Sequence, residues 1–364
     1  MAYISLFSIE LFFSYFLRNN KKIGKEKYLR NSELLFSFIL ILCMTLFYGL
    51  RYNVGIDYMS YYNNAKFNLW NKPQRGTGQL FEPGFRALYF LGSFFELPAN
   101  TVFVLGGFLI YFFLFLGIKN YSQSFPLSLF IFFATGLYFF PFNEFRQFIA
   151  VCIVFYGYKY CVEKKLLKWI LIVIFAMLFH KSAFVVFPMY IVAKIKLSKK
   201  VFNTIILITL IFKKIGMLEI LCSILSIIPG HYSNYAETLL YLPKSGGSGL
   251  IGYLYLIVLF LINNSKCRSY YFQSEKLRPF INILLFGSIF VNVFADIYMV
   301  VRLMEYFLVS IIVVFPFYIK LSRRESLLYI ISLFIIAAYC MNIVKYSFFS
   351  NSESLLTYQT IFSK

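Results

Sequence analysis

Five long apolar runs dominate this chain: Leu34 to Leu50, Val102 to Ile118, Leu127 to Phe142, Phe280 to Val301 and Leu327 to Val344. As helices, runs near 18 residues or longer reach across about 30 Å of hydrocarbon. A soluble core could not hide so much apolar surface, because soluble domains must still present polar surface to water. Composition agrees: 60% of residues are hydrophobic and only 14% charged, against roughly a quarter charged in an ordinary soluble domain. The sequence therefore predicts an all-α, polytopic membrane protein, with residues 1–364 forming a single transmembrane domain.

The formal net charge is +20. In a soluble chain that would point to nucleic acid. Here the Lys and Arg gather in short loops between apolar runs, as the positive-inside rule requires, and no nucleic-acid partner is expected. The basic loops are Arg18 to Arg30, Lys159 to Lys168, Lys194 to Lys200, Lys266 to Arg278 and Lys320 to Arg324. Placing all five in the cytoplasm predicts about 12 transmembrane helices, near 3–17, 33–50, 101–118, 126–142, 146–161, 167–180, 183–193, 201–213, 250–262, 279–298, 303–319 and 327–344, with both termini outside. The first run, Ile4 to Leu17, lacks a basic segment before it and a small-residue cleavage site after it, and reads as a span. The six cysteines are scattered, with no spacing for metal, redox or disulfide work, and no metal or cofactor is expected.

Two outer segments follow from this topology, 51–100 and 213–249. The apolar stretches Phe85 to Leu97 and Ile215 to Ile228 belong to them as interfacial or re-entrant helices. No internal repeat of the kind common in carriers is evident.

The rare ionisable residues fall on the outer side. The two Asp (Asp57, Asp296) and two His (His180, His231) lie there, with Arg51, Glu82, Arg146, Lys181 and Arg302. Charges at span ends are costly unless paired or hydrated, and they often mark a substrate path. Each has a plain local reading. Asp57 follows Gly55 and suits a helix N-cap, while Glu82 precedes Pro83 at a helix start. His180 suits a hydrogen-bonded joint, and Asp296 and Arg302 could share a salt network. Asp57 with Tyr61, and Tyr58 with Tyr62, are spaced to share a helix face, where tyrosine rings could stack on sugars or lipid headgroups. Drawn from widely separated segments onto one side, the group as a whole favours a site.

The order of these residues resembles the EpsG-like family of Wzy-type polysaccharide polymerases: Arg51, Gly55-x-Asp57 and Tyr61; Glu82-Pro83-Gly84; Arg146-Gln-x-x-Ala150; Phe179-His180-x-Ser182-Ala183; Arg302-x-x-x-Tyr306; and the tail Tyr358 to Phe362. The likeness covers nearly the whole chain, although 201–278 carries no matching motif. It implies a fold similar to type C glycosyltransferases. It also implies a polymerase of undecaprenyl-diphosphate-linked oligosaccharide repeat units for O-antigen, capsule or exopolysaccharide. Such an enzyme works at the outer face of the bacterial cytoplasmic membrane, with no nucleotide sugar. Its partners would be the lipid-linked oligosaccharide, the bilayer and, in this class, a chain-length regulator protein.

Glycosyl transfer from a diphosphate needs a cationic grip on the leaving group and a base for the attacking hydroxyl. Arg51, Arg146 and Arg302 suit the first task, with Tyr58, Tyr61 and Tyr306 beside them. His180, Asp57 and Glu82 are the candidates for the second, with His180 slightly ahead. Two other functions compete: an outer-face glycan ligase using the same donor, and a non-enzymatic lipid-linked oligosaccharide flippase or transporter. The second predicts charges deep in the spans, whereas here they gather at span ends and in the outer loops.

Overall fold

The computed structural model describes residues 2–15, 26–73, 80–215, 249–295, 297–322, 331, 335–338 and 358–362. Within these the chain is helical. No strand forms among the described residues beyond a single bridge joining Arg51 to Thr360. The first half contains α1 (Ala2–Tyr15), α2 (Glu26–Gly49), α3 (Tyr58–Lys66), α4 (Pro83–Phe94), α5 (Thr101–Tyr121), α6 (Phe125–Ala134), α7 (Phe140–Asn143), α8 (Phe145–Val162) and α9 (Leu166–Met177). The second half continues with α10 (Met189–Val192), α11 (Lys199–Ile215), α12 (Gly249–Asn264), α13 (Cys267–Gln273), α14 (Arg278–Val293), α15 (Tyr298–Leu303), α16 (Glu305–Leu308) and α17 (Ile311–Ser322).

α5 lies between α2 and α8, and α8 in turn packs on α9. Small residues permit that closeness. A Cβ on Gly106 would lie 2.3 Å from the Phe145 ring, and one on Gly117 would lie 2.3 Å from the Phe155 ring. Lipid tails are as apolar as the helices, so close packing of this kind, rather than expulsion of water, holds membrane helices together. In the second half α14 is the hub, touching α11, α12 and α16. The halves meet where α17 packs on α6 and where α16 reaches α8 and the 3₁₀ turn Lys181–Val186. Tyr158 donates there to the Tyr306 carbonyl at 2.8 Å.

The spans are more broken than the hydropathy predicts. Among the described residues only Thr101–Tyr121 is by itself long and apolar enough to cross a membrane. Three bent pairs could each form a broken span or a re-entrant loop: Phe125–Ala134 with Leu137–Asn143 at 72°, Cys267–Gln273 with Arg278–Val293 at 110°, and Val300–Leu308 with Ile311–Ser322 at 49°. Counting each pair as one span gives up to 4, and the twelve crossings are not established. Five further apolar helical stretches run 10–17 residues, Leu34–Gly49 being the apolar part of the longer α2.

The breaks have local causes. Left-handed Gly136 (φ 79) ends α6 and divides the expected span 126–142. His180 adopts extended backbone, so the span expected at 167–180 is α9 alone, and 183–193 becomes a 3₁₀ turn followed by the single-turn α10. The basic loop expected at 266–278 contains the helix α13. The stretch 85–97 forms α4, with Phe90 and Phe94 exposed along it. His231, Asp296, the stretch 215–228 beyond Ile215, most of the outer segment 213–249 and most of the span 327–344 lie outside the described residues.

Two glycines give a paired test. Gly55 has φ 102, and a Cβ there would meet the Phe142 carbonyl oxygen at 2.2 Å; Gly136 has φ 79 with nothing within 4 Å. Gly136→Ala should cost only the left-handed penalty, about 1 kcal/mol. Gly55→Ala adds a backbone collision and should cost several times more. Melting midpoints in detergent, followed by size-exclusion fluorescence, check the order; equal midpoints would contradict it.

Candidate functional site

The site is assembled at helix starts. Glu82 occupies the N-cap position of α4, with Pro83 in the first turn, yet its side chain makes no capping hydrogen bond. The reason lies in the packing of that end. The Gly84 amide donates to the Leu178 carbonyl at 2.8 Å, and a Cβ on Gly84 would come within 2.8 Å of the same oxygen. Glycine thus lets α4 seat directly on the end of α9, and the Glu82 carboxylate is directed across to α8. There Oε2 pairs with Arg146 Nη1 at 2.6 Å. Oε1 accepts from the Lys181 amide at 3.4 Å.

Arg146 lies in the first turn of α8. Its Nε donates to the Tyr61 hydroxyl at 3.3 Å, and its guanidinium lies 5.1 Å from the Phe81 ring centroid. The side chain keeps 22% of its exposure, against 8% for Glu82, so the pair opens toward solvent through the arginine.

A second arginine–carboxylate pair stands beside the first. Arg302 Nε lies 3.0 Å from Glu144 Oε1. Its backbone carbonyl accepts from Gln147 Nε2 at 2.7 Å. Glu144 is one residue ahead of α8 and Arg146 one residue into it, so one helix start holds both pairs. Buried Glu305, at the start of α16, interacts electrostatically with Glu144. Arg302 therefore has Glu144 as its partner here; the Asp296 expected beside it lies outside the described residues.

His180 caps the turn Lys181–Val186, and its Nδ1 accepts from the Ser182 amide. Ser182 Oγ lies 2.6 Å from the same nitrogen and 3.0 Å from the Tyr306 hydroxyl. A backbone N–H can only donate. Nδ1 is therefore an acceptor, and in neutral His180 the proton is on Nε2. Burial holds the His180 pKa down to about 4; Glu82 works against this shift, and Arg146 and Arg302 add to it. His180 is then neutral near pH 7, with Nδ1 turned to Ser182 and an N–H on Nε2.

Asp57 stands at the N-cap position of α3, also without a capping hydrogen bond. Its carboxylate is half-buried and interacts electrostatically with both Arg302 and Arg146. Burial raises its pKa above the ordinary value, and the two arginines pull it part of the way back. Asn143 fixes the turn before it, its Oδ1 accepting from the Ile56 amide at 2.8 Å.

The remaining sequence candidates are more deeply enclosed. Arg51 is fully buried, with its guanidinium 3.6 Å from the Tyr48 ring centroid, 4.7 Å from Phe103 and 5.0 Å from Phe142. It donates to the carbonyls of Val54 at 3.1 Å and Tyr48 at 2.5 Å, so it pins the loop leading to Asp57. Tyr58 is buried against Phe103, the rings stacked at 4.5 Å. Tyr306 is buried, with its hydroxyl on Ser182. Tyr61 accepts a hydrogen bond from Arg146 through its hydroxyl. The sequence reading missed Glu144, Ser182 and Glu305 as site residues. Their signal was position: each stands within three residues of a candidate already chosen.

The structure thus brings Asp57, Tyr61, Glu82, Arg146, His180, Arg302 and Tyr306 into one linked network. Neither a curated protein nor a solved structure matches the chain. The profile of the EpsG family matches residues 34–360, a stretch that begins in α2 and ends in the tail paired to Arg51. It contains every residue of this network, and on that match the chain belongs to the EpsG family, the family of polysaccharide polymerases that its motif order resembles.

Proposed function

We propose that the protein polymerises lipid-diphosphate-linked oligosaccharide repeat units at the outer face of the bacterial cytoplasmic membrane. The observation that carries this is the pairing of Arg146 and Arg302 with carboxylates at one helix start, Asp57 and His180 being beside them. Two guanidiniums in one partly buried place suit a diphosphate, whose charge grows as the sugar–oxygen bond breaks. Glu82 and Glu144 hold the arginines in position before substrate arrives, so little reorganisation is needed during reaction.

In the proposed step the anomeric carbon of the growing chain leaves its lipid diphosphate and bonds to a hydroxyl oxygen of the next lipid-linked unit. The lipid diphosphate departs with the bonding pair, held by Arg146 and Arg302. The acceptor hydroxyl proton passes to Asp57. His180 Nε2–H donates a hydrogen bond to substrate, and Tyr306 and Ser182 hold its tautomer. Undecaprenyl as the lipid, about twelve crossings and the outward-facing site all belong to this proposal and rest on the distribution of basic loops and on family membership.

Arg146→Ala and Arg302→Ala should each reduce polymer formation by at least about 100-fold, the usual scale for losing an oxyanion donor, while protein level holds. The test is a polysaccharide gel of a deletion strain carrying each variant. Collapse to single repeat units supports polymerisation, loss of all attached glycan favours the ligase, and an unchanged ladder removes the arginine assignment. Arg302→Lys should fail as well if the grip uses two guanidinium nitrogens.

Protonation gives an independent check. Neutral His180 stays neutral until the pH falls to about 4. Asp57 takes up its proton at a pH above the ordinary carboxylate value and then cannot accept another. With purified enzyme and lipid-linked units, the rate should fall on acidification along one limb due to Asp57, with no inflection near 6.5. An inflection there that disappears in His180→Gln would make histidine the base.

A further inference from the structure

Beside the arginine network lies a separate cavity of about 430 Å³, enclosed by α3, α4 and the start of α5. That volume is within the roughly 300–1,000 Å³ typical of small-ligand sites. We infer that it is a carbohydrate subsite, holding a non-reacting sugar portion of the lipid-linked oligosaccharide; the inference rests on the polymerase reading above.

Its walls are apolar and include two tyrosines, and its rim is polar. Tyr62 and Tyr89 line it, each held by a neighbouring ring: Tyr62 stacks on Tyr58 at 5.8 Å, and Tyr89 lies parallel to Trp70 at 6.5 Å. Fixed rings of this kind present apolar faces and edges at low entropic cost, suited to the C–H faces of sugars. At the rim, the exposed side chains of Asn68, Ser93 and Glu96 make no hydrogen bond to other described residues. They remain available to hydroxyl groups.

Electrostatics separate this cavity from the arginine site. α3 and α4 both finish at it, each followed by a left-handed residue, Asn68 (φ 50) and Glu96 (φ 49). Two helix C-termini bring partial negative charge to the cavity, and the start of α5 at Thr101 brings partial positive charge. Lys66 and Glu96 leave the lining without net side-chain charge. A neutral, hydroxyl-rich ligand suits this balanced lining, whereas the arginine site suits a diphosphate.

The cavity is also mechanically joined to the chemistry. Tyr61 and Tyr62 are adjacent on α3; the first accepts from Arg146, and the second lines the cavity. The Tyr89 hydroxyl donates to the Tyr61 carbonyl at 3.3 Å. A chain gripped at its diphosphate by the arginines can thus extend its sugars along α3, and binding energy gathered there would position the reacting end.

Gly92 on α4 provides a selective block. A Cβ there meets only Thr101 Cβ, at 3.9 Å, so a side chain can be added at this lining position without a collision at Cβ. Leucine is also a better helix former than glycine. The experiment is calorimetric titration of nanodisc-embedded full-length protein with the delipidated repeat-unit oligosaccharide, released from the cell's own surface polysaccharide by mild acid. Wild type should bind it. Gly92→Leu and Tyr62→Ala, with wild-type melting midpoints, should bind at least tenfold more weakly and give a shortened ladder in cells. Wild-type binding by both folded variants would overturn the subsite, as would no binding by wild type at millimolar sugar. Inorganic diphosphate is the counter-probe, and saturation by it that Gly92→Leu abolishes would reassign the cavity to anions. If wild type fails to restore a ladder in the deletion strain while Gly92-dependent sugar binding persists, the polymerase reading falls and the sugar site stands.

Discussion

The ion pair between Arg146 and Glu82 is the contact on which the site depends. It joins the starts of two helices that are far apart in sequence, α4 and α8. The carboxylate is nearly buried, and a charge removed from water needs a partner at short range. Glu82 meets that need twice over, through the guanidinium and through the Lys181 amide that opens the turn carrying His180. One carboxylate therefore fixes the arginine, the joint after α9 and, through Tyr61, the helix α3. Removing it would leave a guanidinium unpaired in mostly apolar surroundings and release three elements together.

The second pair follows the same logic with different helices. Glu144 and Arg146 flank the first residue of α8, and each is matched to an opposite charge from another segment. The two halves of the chain are joined here by polar contacts within an otherwise apolar interface. Gln147 to the Arg302 carbonyl, Tyr158 to the Tyr306 carbonyl and Ser182 to the Tyr306 hydroxyl all cross it. In low-dielectric surroundings such bonds are strong and specific, and leaving one partner unmet is correspondingly costly. Part of the contact between the halves is therefore also the network that orients the candidate chemistry.

Beneath the network lies an aromatic platform. Arg51 is enclosed by Tyr48, Phe103 and Phe142, and Phe103 also stacks with Tyr58 and Phe145. The tail reinforces it: Tyr358 stacks on Phe47 at 4.0 Å, and the Tyr52 amide donates to the Gln359 carbonyl at 2.8 Å. This explains why Arg51 and the tail appear among the sequence motifs although neither faces the network. They hold the loop that delivers Asp57.

Much of this was legible in the sequence, and what was not has physical causes. The apolar runs determined an all-helical membrane protein, since helices satisfy their own backbone hydrogen bonds in lipid. The scarcity of charge made each ionisable residue a candidate, and Asp57, Glu82, Arg146, His180 and Arg302 do converge. Hydropathy could not show where helices break, because Gly136 and His180 interrupt them through backbone conformation while the apolar character continues. Nor could it separate Arg51 from Arg146: both stand at span ends, yet one is enclosed by rings and the other keeps an open side. Glu82 and Asp57 each read locally as helix caps, and only tertiary packing directs their carboxylates away from their own helices. The sequence by itself determined which residues could carry charge into an apolar protein. The tertiary structure decided which charges meet, because partners such as Arg146 and Glu82 are 64 residues apart along the chain and 2.6 Å apart in space.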